Sequence, residues 1–479
     1  MAGIGFELKK LFNKKGYISN ISAYFFSTLI TVGPMLICIC MILFSKIYLN
    51  FIGETNQQFE LLMATMVYCF IFSMILTGGF VFILSRYISD CLFTRRTEKI
   101  LPSFYGAIVI VTLLSGIIGI VFLRNSPLSM GYKLIAYLLF VELSILWVQT
   151  VYLSTLKDYA RILRGFLVAA AITMLFSVLL TQFTSYSSIS CILLSLTISF
   201  AYMNLSFGVF IRGFYPEFEA GMFEFVEYFK KYTSLFLIGL FMTGAVYVHN
   251  FIFWASEDGV LTGGTFISCP TYDIPVFFSI LTIIPAMVIF VVTVETNFYN
   301  KYRLYYSAIL NGGTISEIKL AKTEMIDVLR HEIAYIMEVQ LFASFISIAL
   351  GMKLLPRIGF TETAINLFSM LTLGSFVYVI MYILVLLMLY FDDKKGALLA
   401  SCTFLVCNLV FTLISLELGS NYYGTGYFAA GFVALLVGLG RFSYFINSID
   451  YYTFCKQPLI TKVEDSKFSK LVDSVSKRI

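Results

Sequence analysis

The chain has 479 residues, 59% hydrophobic and only 13% charged, with a mean hydropathy of +0.88. Soluble domains carry roughly 25% charged residues, so this is the composition of an integral membrane protein. The net charge of +5 gives no support to a nucleic-acid partner, because the basic residues follow membrane sidedness, as shown below. The nine cysteines include no C-x-x-C pair, and the two histidines are His249 and His331, so no metal centre, cofactor or disulfide framework is indicated.

The first stretch sets the pattern. A charged amphipathic lead, MAGIGFELKKLFNKKGY, runs into 27 residues without a charge at 18–44, interrupted midway by Gly33 and Pro34. About 20 helical residues cross a bilayer. The region is longer than a signal peptide's apolar core and is expected to be a retained span. Proline at mid-span removes a ladder hydrogen bond, so a kink lining a polar path is expected at Gly33 and Pro34.

Further apolar stretches of spanning length follow at 59–85, 101–123, 132–153, 164–182, 186–211, 232–254, 275–294, 332–352, 363–391, 397–416 and 422–447, which makes twelve spans. Of the 33 basic residues, only Lys46, Arg124, Lys133, Lys353 and Arg357 fall on predicted outer loops. Both termini are therefore expected to be cytoplasmic. The reading is an all-α polytopic protein in two six-helix lobes, 1–211 and 232–449. A cytoplasmic amphipathic connector at 212–231 joins them, and a basic cytoplasmic tail follows at 450–479. The longest hydrophilic segment, 295–330, is too short for an independent core. Its stretch 315–329 is expected to lie along the inner surface. With no G-x-x-x-x-G-K-[ST] loop and no D-x-D pair, the chain offers no machinery for ATP or for metal-bound sugar nucleotides, and no enzyme is read from it.

Candidate pathway residues come from polarity at depth. Glu142 sits near the middle of span four, where a charge costs at least about 2.5 kcal/mol, and no Lys or Arg is expected beside it. Gln149, seven residues on, shares its face. This face either lines a pathway or holds helices together. Glu338 shares a face with His331 near the inner end of span nine, where a snorkelling role is the rival reading. Asn204 and Asn408, in spans six and eleven, are candidates to bind sugar hydroxyls or to bond between helices. Asp273, between Pro270 and Pro275, marks an acidic outer segment at 255–274 that also holds the turn-forming Gly263 and Gly264. Pro285 is the second proline deep in a span, and its kink is read as either a hinge or a static bend.

Several stretches carry a family resemblance. The opening MAGIGFEL with Gly33 and Pro34, WVQTVYLSTLKDY at 147–159, YDIPVFFSILTIIPAMVIFVVTVETNFY at 272–299 and IDYYTF at 449–454 resemble the PelG family of Pel exopolysaccharide transporters. The resemblance implies a flippase-like exporter of the multidrug, oligosaccharidyl-lipid and polysaccharide superfamily, with twelve helices in two lobes in the cytoplasmic membrane. It also implies a role in biofilm exopolysaccharide production. The implied partners are a glycosyltransferase making an N-acetylgalactosamine-rich polymer and membrane scaffold proteins, one responsive to cyclic-di-GMP. It supplies no catalytic motif to carry over. Two other readings stand beside export: a scaffold for the synthase, and a cation-coupled small-molecule antiporter. A membrane polymerase is disfavoured by the short outer loops.

Overall fold

The computed structural model describes residues 17–156, 158–215 and 221–455. The amphipathic lead at 1–16, the middle of the connector at 216–220 and the basic tail beyond residue 455 lie outside the described residues. The chain order is α1 (Tyr17–Ile52), α2 (Asn56–Phe93), α3 (Ile100–Leu123), α4 (Met130–Thr155), α5 (Tyr159–Phe183) and α6 (Ser188–Phe214). After these come α7 (Glu227–Lys231), α8 (Thr233–Trp254), the hairpin β1 (Val260–Thr262) and β2 (Phe266–Ser268), α9 (Pro270–Leu281) and α10 (Ile284–Thr293). The last helices are α11 (Tyr299–Leu310), α12 (Ile315–Leu354), α13 (Glu362–Tyr390), α14 (Lys394–Glu417) and α15 (Thr425–Asn447). Eleven helical segments among the described residues are long and apolar enough to cross a membrane. Helix α1 adds 36 residues and runs through Gly33 and Pro34 without interruption. Eleven of the twelve apolar stretches read from the sequence fall, within a few residues at their ends, on a single helix, and the stretch 275–294 is divided between two.

The chain forms two compact units. One takes residues 33–247 and 254–269; the other takes the described residues among 1–32, 248–253 and 270–459. The chain thus changes unit inside α1, between Val32 and Gly33, and again inside α8.

In the first unit, α2, α4 and α6 form the centre, with Leu84, Leu139, Leu143, Tyr152 and Met203 buried between them. Polar threads tie the helices at several levels: Tyr132 to Thr65 at 2.8 Å and Tyr152 to Ser103 at 3.1 Å. Close approach of α2 to α8 depends on glycine, since a Cβ at Gly79 would collide with the Phe236 ring and one at Gly239 with the Gly78 carbonyl. The described part of the connector is a 3-10 turn at Glu224–Val226 followed by the five-residue α7. It is fastened to its neighbours: Phe225 is fully buried, and Lys99 Nζ reaches Glu224 at 2.9 Å. The Tyr228 hydroxyl donates to Asp90 at 3.2 Å. Burial and the nearby Asp90 carboxylate push the Tyr228 phenol above its ordinary pKa, so it stays the donor.

The segment between α8 and α9 adds one short β-hairpin to the all-helical fold. Val260 pairs with Ser268 and Thr262 with Phe266 across a turn in which Gly263 and Gly264 have φ of +59° and +62°. Left-handed backbone is what glycine tolerates without strain, and Leu61 and Pro127 pack where side chains would stand. The Tyr68 hydroxyl holds the hairpin, accepting from Ile267 N at 3.0 Å and donating to Ile267 O at 2.8 Å.

In the second unit, α13, α14 and α15 pack together, and Asp393 both caps α14, accepting from Gly396 N, and receives two hydrogen bonds from Arg441 at 2.9 and 2.8 Å. Two expectations change here. The stretch expected at 275–294 starts at Pro270 and is divided between α9 and α10, with Pro285 opening the second half. A π-turn at Val294–Phe298 then leads into α11. The stretch 315–329 does not lie apart along the inner surface. It is continuous with span nine in the 40-residue α12. Thr314 and Glu317 form a reciprocal capping box that starts this helix, and no breaker follows until Pro356.

Candidate functional site

Helix α4 begins at an N-cap, where Ser129 Oγ accepts from Tyr132 N, and presents Glu142 and Gln149 two turns apart. Opposite them on α6 stands Asn204. Its Nδ2 donates to the Glu142 carbonyl at 3.0 Å, while Gln149 Nε2 donates to the Asn204 carbonyl at 3.0 Å. The two amides therefore stitch α4 to α6 through each other's backbones. What they leave over is informative: Glu142 Oε2, Gln149 Oε1 and Asn204 Oδ1 are all buried and without a hydrogen-bond partner. A buried acceptor left unpaired costs about 1–3 kcal/mol. The seam therefore carries three acceptors open to a hydrogen-bond donor. Between Glu142 and Gln149 in the chain, Trp147 Nε1 donates to Ser73 at 2.9 Å, fixing the indole against α2.

The other expected residues are distributed over the second unit. Asp273 lies in the first turn of α9, not in an open loop, and accepts from Asn250 Nδ2 at 2.7 Å. Asn408 on α14 is fully buried and accepts from Thr412 at 2.9 Å. Glu338 and His331 on α12 are both exposed. The buried acid of that helix is Glu332, which accepts from Asn297 in the π-turn at 2.7 Å. Thus the seam joins Glu142, Gln149 and Asn204, while Asp273, Asn408 and Glu338 occupy three different helices.

Sequence reasoning passed over a second cluster. His249 Nδ1 lies 2.9 Å from the Tyr272 hydroxyl, directly beside the Asn250–Asp273 pair. Phe253 stacks on Tyr272 with ring centroids 3.6 Å apart, and Tyr427 lies 4.5 Å from His249. The signal was present: two adjacent polar residues near the end of an apolar span, each matched by a polar residue 23 positions later. Also unforeseen is the aromatic nest around Tyr68. Trp254 stacks on it at 4.9 Å, and a cavity of about 120 Å³ is lined by Tyr68, Phe72, Phe122, Tyr137, Phe140 and Phe266. Among the described residues no three His, Cys, Asp or Glu side chains gather as a metal site.

Comparison with solved structures gives the fold. The chain superposes on the Vibrio cholerae MATE transporter VcmN in its bent form with a TM-score of 0.61 at 12% identity, covering 94% of this chain and 99% of that one. An outward-facing multidrug resistance MATE transporter of the MOP superfamily gives 0.60 at 14% identity, covering 88% and 96%. The eukaryotic MATE transporter AtDTX14 gives 0.59 at 10% identity, covering 95% and 98%. The fold is that of the MATE transporters. A search of curated protein sequences finds no match. A family profile described as "PelG: Putative exopolysaccharide Exporter (EPS-E)" matches residues 1–454. Matched over nearly its whole length and folded as a multi-pass membrane transporter, the chain belongs to the PelG family.

Proposed function

We propose that this chain passes an N-acetylhexosamine-rich exopolysaccharide across the cytoplasmic membrane as a cytoplasmic glycosyltransferase extends it, with membrane scaffold proteins of the same system alongside. The observation that carries the reading is the α4–α6 seam, where Glu142, Gln149 and Asn204 hold three buried, unpartnered acceptor oxygens. A sugar polymer is dense in donors: each residue brings hydroxyls, and each acetamido group brings an N–H. The Asn250–Asp273 pair and the Asn408–Thr412 pair are further contacts on this reading, and Glu338 stands at the exposed end of its path. Both termini face the cytoplasm, as the distribution of Lys and Arg indicates. On this reading the two lobes, 1–211 and 232–449, each carry part of the path, and Gly33 and Pro34 bend its first span.

The test uses inverted membrane vesicles containing this chain and its synthase, fed labelled UDP-N-acetylhexosamine and then treated with an external glycoside hydrolase. The expected result is protected polymer in the lumen that disappears when the chain is omitted, while unprotected polymer persists. Loss of all polymer on omission would instead favour a scaffold. The likeness to a multidrug resistance MATE transporter favours a second reading, a cation-coupled small-molecule antiporter. That reading requires transport in vesicles that contain no synthase.

A further inference from the structure

Span eight is broken between α9 and α10, and the break has an unusual partner. In an unbroken helix the Ala286 N–H would bond the Thr282 carbonyl four residues back. Here both groups bond one side chain instead: Ala286 N donates to Gln340 Oε1 at 3.0 Å, and Gln340 Nε2 donates to Thr282 O at 2.8 Å. A carboxamide has an acceptor at one end and donors at the other. One glutamine, in one orientation, therefore replaces both halves of a single missing rung.

The surroundings fix that orientation. Gln340 is fully buried, and Ser344 Oγ lies 3.3 Å from Nε2 while donating to the Gln340 carbonyl at 2.8 Å. Toward its N-terminus α12 makes further polar attachments to the segment that follows α10. Glu332 receives Asn297 at 2.7 Å, and Glu324 meets Lys301 at 2.7 Å. Pro285 affects a different rung: lacking an N–H, it withholds a donor from Leu281 and leaves the 282–286 pair untouched. Proline and an inserted side chain are separate causes of a kink, and here they act on neighbouring rungs.

We infer that Gln340 is a positioning residue for transport, a peptide surrogate wedged into span eight that keeps the break open and makes both arms move with α12. The wedge, not Pro285, maintains the bend. The inference concerns the shape of one span and holds whatever the transported molecule is.

The experiment places spin labels at Ile274→Cys on α9 and Leu304→Cys on α11, which follows α10 through the π-turn, both exposed positions, in purified protein whose native cysteines are replaced. Pulsed dipolar spectroscopy reads the distance. Gln340→Leu removes the surrogate, so the direct rung re-forms and the distance distribution shifts to longer values. Pro285→Ala retains the wild-type distribution. The vesicle assay adds the transport readout: Gln340→Leu loses most protected polymer at unchanged membrane level, whereas Pro285→Ala keeps it. Identical distributions for Gln340→Leu and wild type, or lengthening by Pro285→Ala alone, would overturn the wedge. Lengthening by Gln340→Leu with intact export would overturn the positioning role. If Gln340→Leu does not accumulate, Gln340→Asn, one methylene too short to reach both groups, takes its place. Pro285→Ala still decides by itself, because a retained bend supports the wedge and a straightened span removes it.

Discussion

The α4–α6 seam and the break in span eight use the same side-chain chemistry to opposite ends. At the break, Gln340 engages both ends of its amide with the backbone of α9 and α10 and leaves no polar atom over. On the seam, Gln149 and Asn204 engage only their NH2 groups, and the two amide oxygens, like Glu142 Oε2, remain without partners. A buried network whose members are all satisfied behaves as a brace, whereas a half-satisfied one carries a standing cost that a donor-bearing ligand removes. The difference separates two kinds of buried polar residue that look alike along a sequence.

That separation can be broken by experiment, starting where stability should suffer most. Asp393→Ala removes the carboxylate that caps α14 and leaves Arg441 facing a buried void. Breaking such a pair costs about 3–5 kcal/mol, read as a drop in thermal midpoint in detergent. Asn204→Leu deletes one interhelical bond of the seam and should cost about 1 kcal/mol, as such bonds do within membranes. A loss as large as that of Asp393→Ala would make the seam a brace too. Thr314→Ala removes half of the α12 capping box, at a cost of about 1 kcal/mol or less at an exposed helix end. Hydrogen exchange at the first turn of α12 should rise, with export unchanged. Glu142→Gln is the sharpest case: it keeps the shape and replaces the carboxyl by a neutral amide, so the thermal midpoint should hold or rise while protected polymer falls. Unchanged export in that variant would remove Glu142 from the path.

Much of the architecture was legible because the bilayer imposes length and polarity on each span separately. Twelve apolar stretches and the shared face of Glu142 and Gln149 follow from local periodicity alone. The bond from Gln149 to Asn204 was not legible, since it crosses 55 residues and depends on how α4 and α6 pack. For the same reason Gln340 looked like one more polar residue in span nine, and its partners at 282 and 286 became visible only in the fold. The hairpin was missed for a different reason. Two three-residue strands give too little alternation to register, although Gly263 and Gly264 correctly marked the turn. The continuity of α12 was hidden because its polarity changes midway, whereas helix continuity depends on caps and breakers, not on hydropathy.

The length of α12 carries a mechanical consequence. Forty residues at 1.5 Å each make a rod of about 60 Å, roughly twice the thickness of the hydrocarbon core. Pivoted at its centre, such a rod converts a tilt of about 10° into a sweep of about 5 Å at the Ile315 tip. The helix is a lever of equal arms: whatever leans on one end is felt at the other.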